Sequence, residues 1–472
     1  MAAPTTEPTT EPTTEPSSLT ARAETGRAAR RSLPLAEHAR VPEGGRAAPV
    51  EGLDQQATTR VPELVPIRYG RMIASPFAFY RGAAMVMAHD QSRLPNSGLR
   101  VQMCGDAHLL NFGLFGSPER RLIFDLNDFD ETLPGPFEWD VKRLAASVAV
   151  AGRDAGLGTK QRRAAVLATV AAYRESMREF AVTGTLAVWY ARADVEELRA
   201  TLAKEFSRRA TDRALARAKT RDGQRAFNKL VRMIDGRPRI TSAPPLIVPV
   251  EELLPEADAE ELVESLNAVV MAYRRTLQHD RRHLLDQYRL VHIARKVVGV
   301  GSVGTRTWVL LLMDADRAEP LILQAKEAQN AVHARFAGRS SYTNQGQRVV
   351  VGQRLMQATS DIFLGWQRTT GVDGVRRDFY IRQLSDWKAS VAIEALTPQA
   401  LTSYGRMCAW TLARAHARSG DRIAIAAYLG RSDRFERALT DYSEAYAGLN
   451  EADHGAVSAA AGAGRITART GV

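Results

Sequence analysis

The chain has 472 residues, 45% of them hydrophobic and 25% charged, a composition typical of a globular protein with room for one large domain or two smaller ones. No apolar run approaches the roughly 20 residues that a membrane-spanning helix requires, and no apolar signal core follows the N-terminus, so neither membrane insertion nor secretion is expected. With two cysteines, Cys104 and Cys408, and a formal charge of +11, we expect a reduced, cytoplasmic protein with a polyanionic partner.

Both ends of the chain have compositions that do not favour a folded core. Residues 4–16 repeat the unit P-T-T-E, and polar sequence continues to about residue 60. Residues 456–472 are rich in alanine and glycine. We therefore predict a disordered Pro/Thr-rich tail over 1–60 and a flexible tail over 456–472.

Between these tails the hydrophobic pattern changes from helical to strand-like and back. Apolar residues three or four apart predict helices at 76–89, 138–151 (continuing to about 182), 190–235 (broken at Gly223 and Gly236), 258–280, 345–358 and from 398 onward. Runs rich in Val, Ile, Leu and Trp predict strands at 99–103, 121–125, 288–300, 305–313, 320–325, 362–366 and 378–384. The strands within 288–325 should form an antiparallel meander, so the expected fold class is α+β.

One stretch carries much of the positive charge. Between Arg192 and Arg239 there are 14 Arg and Lys residues against 7 Asp and Glu, a net charge of +7. A solvated helical face is the simpler explanation, and a nucleic-acid surface over 190–239 is the alternative.

The most informative segment for function is C-G-D-A-H-L-L-N at 104–111, with F-D-L-N-D-F-D-E following at 124–131. Phosphoryl transfer requires a carboxylate that orients the attacking group, and oxygen ligands that hold a metal ion on the phosphates. Asp106 can supply the first and Asn111 the second, because Mg²⁺ prefers oxygen ligands. The second segment places four acidic residues within seven, which would repel one another unless a cation or basic groups lie beside them.

A plainer interpretation of both segments is an acidic turn between two strands, with Asp and Asn selected for turn geometry. His108 then orders the loop by hydrogen bonds, and a proton-transfer role is the alternative. The occurrence of the two segments together favours the functional interpretation.

A second functional segment is G-V-G-S-V-G at 299–304, which contains Gly299, Gly301, Ser302 and Gly304. Because β-branched and apolar residues follow it, the segment is predicted to be a turn between antiparallel strands, which favours a phosphate-covering loop over a dinucleotide-binding one. The third strand then places Lys326 in an apolar run, where a lysine needs an anionic partner unless it reaches solvent at the strand end.

The segment around Asp106 resembles the catalytic loop of aminoglycoside and choline kinases, H-G-D-x-H-x-x-N, which precedes a strand with a metal-binding aspartate and an acid opening a helix. The matching segments here are C-G-D-A-H-L-L-N, L-I-F-D-L-N-D and W-D-V-K-R-L-A. The resemblance implies that Asp106 is the catalytic base, Asn111 a metal ligand, Asp125 or Asp128 a second metal ligand, and Asp140 a structural acid.

Two positions depart from the kinase pattern. Cys104 replaces the first histidine of the loop, and the helix expected at 345–358 has no acidic residue to pair with Lys326. Either Glu327 or another acid takes that place, or the ion pair is missing.

The order of the motifs also differs from that of kinases, in which the glycine-rich loop and lysine come first. The resemblance therefore implies a circularly permuted bilobal kinase-like fold that uses ATP and Mg²⁺. Its parts would be a helical-lobe half with the catalytic and metal loops (61–189), a basic bridging region (190–285), a sheet lobe (286–390) and the returning helices (391–455).

From about residue 61 to 449 the chain also resembles the bacterial family called domain of unknown function 2252. The segments that carry this resemblance are S-P-F-A-F-Y-R-G-A-A, C-G-D-A-H-L-L-N-F-G, F-D-L-N-D-F-D-E-T, R-K-V-V-G-V-G-S-V-G-T-R, Q-R-L-M-Q-A-T-S-D-I-F-L-G-W and L-A-R-A-H-A-R-S-G-D. This family implies an association with kinase-like proteins and no particular substrate.

Three functions follow as expectations. The first is an ATP- and Mg²⁺-dependent phosphotransferase that acts on an unknown small molecule or protein. The second keeps the fold but transfers a nucleotidyl group or only senses a nucleotide. The third is nucleic-acid binding through 190–239.

Overall fold

The structure is a computed structural model that describes residues 18–472 apart from 43, 198–215, 217–222, 255–258, 298, 317–318, 372–373, 385–392 and 394–395, and apart from the side chains of 259–266. Three sequence-based expectations therefore lie partly or wholly outside the described residues. They concern the P-T-T-E repeat, half of the basic stretch 192–239, and the boundary between the expected sheet lobe (286–390) and the returning helices (391–455).

Helices make up most of the described chain. They are α1 (Leu19–Ser32), α2 (Pro49–Ala57), α3 (Val65–Met72), α4 (Pro76–Gly82), α5 (Ala84–Ser92), α6 (Phe137–Asp154), α7 (Thr159–Val182), α8 (Thr185–Tyr190), α9 (Gly223–Leu230), α10 (Val250–Leu253), α11 (Ala259–Arg274), α12 (His279–Leu285), α13 (Ala334–Ala337), α14 (Gln345–Met356), α15 (Pro398–Ser419), α16 (Arg422–Leu429) and α17 (Arg434–Gly462).

The described strands are short and pair only in antiparallel fashion. They are β1 (Arg100–Met103), β2 (Phe112–Gly116), β3 (Leu122–Leu126), β4 (Leu133–Pro136), β5 (Ala193–Asp194), β6 (Val231–Ile234), β7 (Arg237–Ile240), β8 (Ile247–Pro249), β9 (Tyr288–Lys296), β10 (Thr307–Asp314), β11 (Pro320–Ala328), β12 (Gly365–Thr370) and β13 (Arg376–Gln383). The fold class is thus α+β, as the sequence predicts.

The largest sheet has the strand order β12-β13-β11-β10-β9-β8. Its central part is the predicted meander β9-β10-β11, in which Thr307 pairs with Lys326 and Lys326 in turn pairs with Tyr380 of β13. Three smaller sheets join β1 with β4, β2 with β3 and β5, and β6 with β7. The glycine-rich segment therefore connects two antiparallel strands, as expected.

The principal core forms where α6, α7, α15 and α17 pack together. The start of α15 is well defined, since Pro398 occupies its first turn and the Thr397 hydroxyl caps Ala400 N at 3.2 Å. Ala328 of β11 and Tyr380 of β13 belong to this same core. One end of the large sheet is thereby fixed against the helical part, next to the loops that follow β1 and β3.

The N-terminal part differs from the expected disordered tail. Helix α1 packs on α16, and Arg22 forms a bidentate pair with Asp421 through two contacts of 2.9 Å. Arg46 similarly bridges Asp90 and Asp453. Because the order of this segment depends on partners about 400 residues away, its local composition could not reveal it.

The C-terminal part is also more ordered than expected. Helix α17 continues to Gly462, and the last residues lie against α3, where Arg469 N donates to the carbonyl of Pro66 at 2.8 Å. The Arg71 side chain donates to the carbonyl of Val472 at 3.2 Å. An alanine-rich helix end is thus stabilised by contacts with a distant helix.

Two predicted helices also need correction. The helix expected at 76–89 is divided into α4 and α5 at Ala83, whose backbone is not helical. Within the helix expected over 190–235, residues Val231–Ile234 instead form β6, which turns at Asp235 and Gly236 into β7. Both turn residues have positive φ, of 48° and 72°, and an Asp-Gly pair between apolar residues is a strong hairpin signal.

No described helix is both long and apolar enough to cross a lipid bilayer.

Candidate functional site

The loop after β3 carries the acidic residues that the sequence marks as functional, and the structure separates them into two groups. Asp125 is still on the strand and faces α15, where its Oδ1 lies 2.5 Å from Arg414 Nη2 and both side chains are 1% exposed. Its Oδ2 accepts a hydrogen bond from Ala358 N at 2.9 Å. A carboxylate committed to a buried arginine is poorly placed to hold a metal ion, so Asp128 is the better of the two candidates.

Asp128 and Asp130 face the predicted lysine. Lys326 Nζ lies 3.5 Å from Asp128 Oδ2 and 3.3 Å from Asp130 Oδ2, and only 6% of the lysine side chain is exposed. The partner of Lys326 is therefore supplied by the acidic loop rather than by α14, and Glu327 pairs instead with Arg306 at 3.3 Å. Residues almost 200 positions apart meet at this point.

The charges in this cluster shift one another's pKa values. Burial and the neighbouring Asp130 raise the pKa of the Asp128 carboxyl, although Lys326 opposes them. Burial acts in the same direction on Asp130, but Lys326 and a hydrogen bond from Tyr380 outweigh it and hold its pKa below the usual value. Burial disfavours the Lys326 ammonium, yet the two carboxylates raise its pKa. The cluster thus contains the ammonium of Lys326, the carboxylate of Asp130, whose ionised form is favoured, and the carboxylate of Asp128, whose ionised form is disfavoured.

The glycine-rich loop reaches the same cluster. Ser302 Oγ donates to Asp130 Oδ2 at 3.2 Å. Arg60 holds the loop from outside by donating to the carbonyls of Gly301, at 3.0 Å, and Val303. Gly304 has φ +88°, a conformation that favours glycine, and a side chain there would meet Arg60 at 3.0 Å.

The loop after β1 places Asp106 beside this region. Gly105 has φ +82°, and a Cβ on it would lie 2.1 Å from the carbonyl oxygen of Glu131, so the loops after β1 and β3 touch. Asp140 fixes the loop by accepting hydrogen bonds from Cys104 N at 2.8 Å and Gly105 N at 3.0 Å. Asp140 thereby anchors the loop after β1 to α6.

Asp140 also contacts a histidine of α15. His416 Nε2 of α15 lies 3.2 Å from Asp140 Oδ2, and its Nδ1 lies 2.8 Å from the hydroxyl of Tyr173. The loop is thus anchored from a distant helix, while Cys104 is buried and its thiol pKa is raised by burial and by Asp140.

Asp106 itself is held by Arg143 of α6. Arg143 Nε and Nη2 lie 2.8 Å and 2.7 Å from Asp106 Oδ1, and its guanidinium stacks over the Tyr80 ring at 3.9 Å. Burial raises the pKa of Asp106, against the effect of Arg143. The carboxylate keeps 17% of its surface exposed, so one edge remains accessible.

His108 and Asn111 have different relations to Asp106. His108 Nε2 is 3.7 Å from Asp106 Oδ2, too far for a hydrogen bond, and burial lowers the pKa of the imidazole so that it is neutral. This geometry favours a structural role for His108 rather than proton transfer. Asn111 Nδ2 donates to the backbone carbonyl of Asp106 at 2.6 Å, so its amide helps to shape the loop.

Several functional neighbours were missed in the sequence. Tyr380 donates to Asp130 Oδ1 at 2.5 Å, and Arg348 of α14 donates to the carbonyls of Asp130 and Gln329 at 2.8 Å each. Tyr380 stands in a strand that the sequence predicts, but the sequence does not show that this strand pairs with β11, where Tyr380 lies directly opposite Lys326. Arg348 carries no comparable signal, since it binds backbone atoms of distant loops.

A metal ion, if bound, would find few protein ligands here. Among the described residues no group of three or more His, Cys, Asp or Glu side chains is arranged to hold a metal ion. The carboxylate of Asp128 fits an ion such as Mg²⁺, which is commonly bound through one or two carboxylates and completed by phosphate oxygens and water.

Comparison with known families gives a match over most of the chain. A model of the bacterial family described as "Uncharacterized protein conserved in bacteria (DUF2252)" matches residues 60–460. Searches of curated proteins and of solved structures found no match. These comparisons lend no support to the kinase resemblance, and the function must be argued from the geometry of the site.

Proposed function

The chain belongs to the DUF2252 family of bacterial proteins, and from the geometry of its site we propose that it is an ATP- and Mg²⁺-dependent phosphotransferase with a kinase-like arrangement of groups. The acceptor would be a hydroxyl group on a small molecule or a protein. The proposal includes a circularly permuted kinase-like fold, in which the loops of 61–189 and the sheet of 286–390 meet around one nucleotide.

One observation carries the proposal, namely the meeting of three separate segments in a single polar cluster. Ser302 of the glycine-rich loop, Lys326 of β11 and the loop with Asp128 and Asp130 lie within hydrogen-bonding or ion-pairing distance. These segments carry the donors and acceptors that phosphoryl transfer needs. A mere acidic turn between strands would not require a glycine-rich hairpin and a buried lysine beside it.

Lys326 would hold the phosphates of the nucleotide. In the structure its ammonium is shared by two carboxylates, of which Asp128 is the less favourably ionised. A phosphate oxygen could replace one of these partners at little cost, because the ammonium would stay paired. The backbone of the glycine-rich loop would cover the phosphates from the other side.

Mg²⁺ would be held by Asp128, with Asn111 as a second candidate ligand. The ion would neutralise charge on the phosphate oxygens. The ion would also relieve the repulsion between Asp128 and Asp130. After burial, this repulsion is the second cause of the raised pKa of Asp128.

Asp106 would orient the acceptor hydroxyl and accept its proton. Its loop touches the acidic loop at Gly105 and Glu131, and burial raises its pKa, which makes the carboxylate a better proton acceptor. Arg143 would fix its direction, since both of its contacts are to the same carboxylate oxygen.

The test is calorimetric titration of the full chain with ATP, with and without Mg²⁺. We expect clear binding only with Mg²⁺, and loss of binding in Lys326→Ala. The control is Lys142→Ala, which removes an equally buried lysine that lies over the Tyr442 ring rather than at the site. Unchanged ATP affinity in a folded Lys326→Ala protein would refute the role of Lys326.

A second candidate keeps nucleotide binding and changes the chemistry to nucleotidyl transfer or to nucleotide sensing. It is favoured by the close hold of Arg143 on Asp106, which leaves the carboxylate less free to accept a proton. Incubation with ATP labelled at the α- or the γ-phosphate separates the alternatives. Transfer of the γ-label supports the phosphotransferase, transfer of the α-label supports the nucleotidyltransferase, and transfer of neither supports a sensor.

A further inference from the structure

A wide cleft lies next to the polar cluster and is used by none of the roles above. Its volume is about 1870 Å³, well above the roughly 300–1,000 Å³ of an ordinary small-molecule pocket. Its walls come from α2, from α5, and from the segment that runs from the end of β11 to α14. Within the described residues its lining does not include Asp106, Asp128 or Lys326.

The cleft is strongly positive. Eight arginines line it, against three carboxylates, those of Asp90, Glu327 and Asp378. Five of the arginines are engaged by carbonyls or carboxylates: Arg60, Arg306, Arg348, Arg368 and Arg377.

Three guanidiniums remain for a ligand. Arg335, Arg339 and Arg376 are exposed, and in the described part of the chain their side chains have no hydrogen-bond or ion-pair partner. Arg335 and Arg339 lie on the segment after β11, whereas Arg376 begins β13. Because the three charges come from two separate segments of the cleft wall, they match an extended ligand with separated negative charges better than one compact anion.

The remaining lining also suits a peptide. Amide side chains of Gln55, Gln56 and Gln329 line the cleft together with apolar groups such as Met85 and Phe336. The three carboxylates of the wall are already paired with Arg46, Arg306 and Arg368. The charge left for a ligand is that of three separate guanidiniums, which suits a peptide with a few spaced acidic residues better than a uniformly charged phosphodiester chain.

The chain contains a segment of this kind. Residues 1–17, which lie outside the described part, have glutamates at 7, 11 and 15, separated by Pro and Thr and with no basic residue among them. The tail has three negative charges, equal in number to the unpaired guanidiniums. Seventeen residues in an extended, proline-rich form can span about 50 Å.

The start of the described chain leads toward the cleft. Arg22 of α1 pairs with Asp421, next to Gly420, and a Cβ on Gly420 would lie 2.8 Å from the carbonyl oxygen of Arg100. Arg100 Nη2 in turn donates at 2.9 Å to the carbonyl of Ala337, which immediately precedes Gly338 and Arg339 of the cleft wall. A few direct contacts thus link α1, the first described helix, to the wall of the cleft.

We propose that the arginine-lined cleft is a peptide-binding groove and that its occupant is the acidic P-T-T-E tail of the same chain. The glutamates of the tail pair with Arg335, Arg339 and Arg376, and the occupied groove is closed to other acidic peptides. The inference concerns binding alone and holds whether or not the neighbouring cluster transfers phosphate.

The test is binding of a fluorescently labelled peptide with the sequence of residues 1–17 to the full chain, without nucleotide. The wild-type chain should bind it weakly, because its own tail competes. A chain with Glu7→Gln, Glu11→Gln and Glu15→Gln should bind it about tenfold more tightly, and this gain should shrink as salt is added. Equal affinity in the two chains would overturn the occupancy by the chain's own tail.

A further substitution set tests the groove itself. Arg335→Gln, Arg339→Gln and Arg376→Gln, made in the tail-neutralised chain, should remove the peptide binding. The matched control is Arg406→Gln, Arg434→Gln and Arg465→Gln, which removes the same charge from exposed positions outside the cleft and should leave binding unchanged. Retained binding in the cleft variant would overturn the proposal. So would selective loss of single-stranded oligonucleotide binding in that variant with peptide binding intact, since the cleft would then be a nucleic-acid surface.

Discussion

Asp125 and Asp128 should respond very differently to removal of their charge. Asp125→Asn leaves Arg414 buried without its anionic partner, and both side chains are 1% exposed. Loss of one member of a buried ion pair typically costs about 3–5 kcal/mol, and the lost acceptor for Ala358 N adds to this. We expect the free energy of unfolding to fall by at least about 3 kcal/mol.

Asp128→Asn should be far milder for stability. The Asp128 side chain is 31% exposed, Lys326 keeps Asp130 as a partner, and the substitution removes the repulsion between the two aspartates. We expect the free energy of unfolding to change by no more than about 1 kcal/mol, while the increase of ATP affinity on adding Mg²⁺ disappears.

Urea denaturation followed by tryptophan fluorescence measures the first quantity, and titration with ATP measures the second. The double variant Asp125→Leu with Arg414→Met is the control for stability, because an apolar pair leaves no lone buried charge and should recover much of the loss. Equal stability losses in the two single variants would refute the division of the acidic segment into a structural and a ligand-binding aspartate. So would loss of the Mg²⁺ effect in a folded Asp125→Asn protein that Asp128→Asn leaves intact.

Three further predictions follow from the site. Burial raises the pKa of Glu131 from 4.5 to about 7. A carboxyl whose pKa is raised on folding stabilises the fold below pH 4.5, and this contribution is lost as the pH rises through 7. Glu131→Gln should therefore flatten the decline of the melting temperature between pH 5 and 8, and an unchanged pH profile would contradict the burial of this carboxyl. Gly304→Ala should lower the free energy of unfolding by about 1–2 kcal/mol and weaken ATP binding, because the φ of Gly304 is +88° and Arg60 is close. Gly299→Ala is the control and should do neither, since Gly299 has φ −59° and open space around it. Equal effects of the two substitutions in urea denaturation would contradict the loop geometry. Tyr380→Phe removes the hydroxyl that donates to Asp130 and should cost about 1–3 kcal/mol in the same assay, and a neutral result would show that this hydrogen bond is not formed.

The sheet and the main helices could be predicted because their signals are local. Strands β9, β10 and β11 coincide closely with the apolar runs at 288–325, and α14 begins at Gln345 as expected, where the Asn344 side chain caps it. The hairpin of β6 and β7 has an equally local signal, the Asp-Gly pair at 235–236, but the helical spacing of the apolar residues over 190–235 predicts a helix there instead.

The ordered ends of the chain could not be predicted from composition. Helix α1 owes its place to Arg22 and Asp421, and the residues after α17 owe theirs to contacts with α3. Such long-range contacts give no sign in the local sequence, because polar helices look alike whether they are docked or free.

The candidate site shows the same limit in another form. Motifs identified Asp106, Asp128 and Lys326, since their residue types and spacing suit phosphate chemistry. They did not identify the partners that fix those groups, namely Arg143 for Asp106, Tyr380 for Asp130 and His416 for Asp140. Those partners come from other elements, and only the packing of the helices and the large sheet brings them into contact.

The proposed function is tested most directly by a crystal structure of the chain with a non-hydrolysable ATP analogue and Mg²⁺. The account predicts phosphates under the glycine-rich loop, in contact with Lys326, a metal ion on Asp128, and the terminal phosphate facing Asp106. A nucleotide bound elsewhere, with the Lys326 ion pairs to Asp128 and Asp130 unchanged, would contradict it.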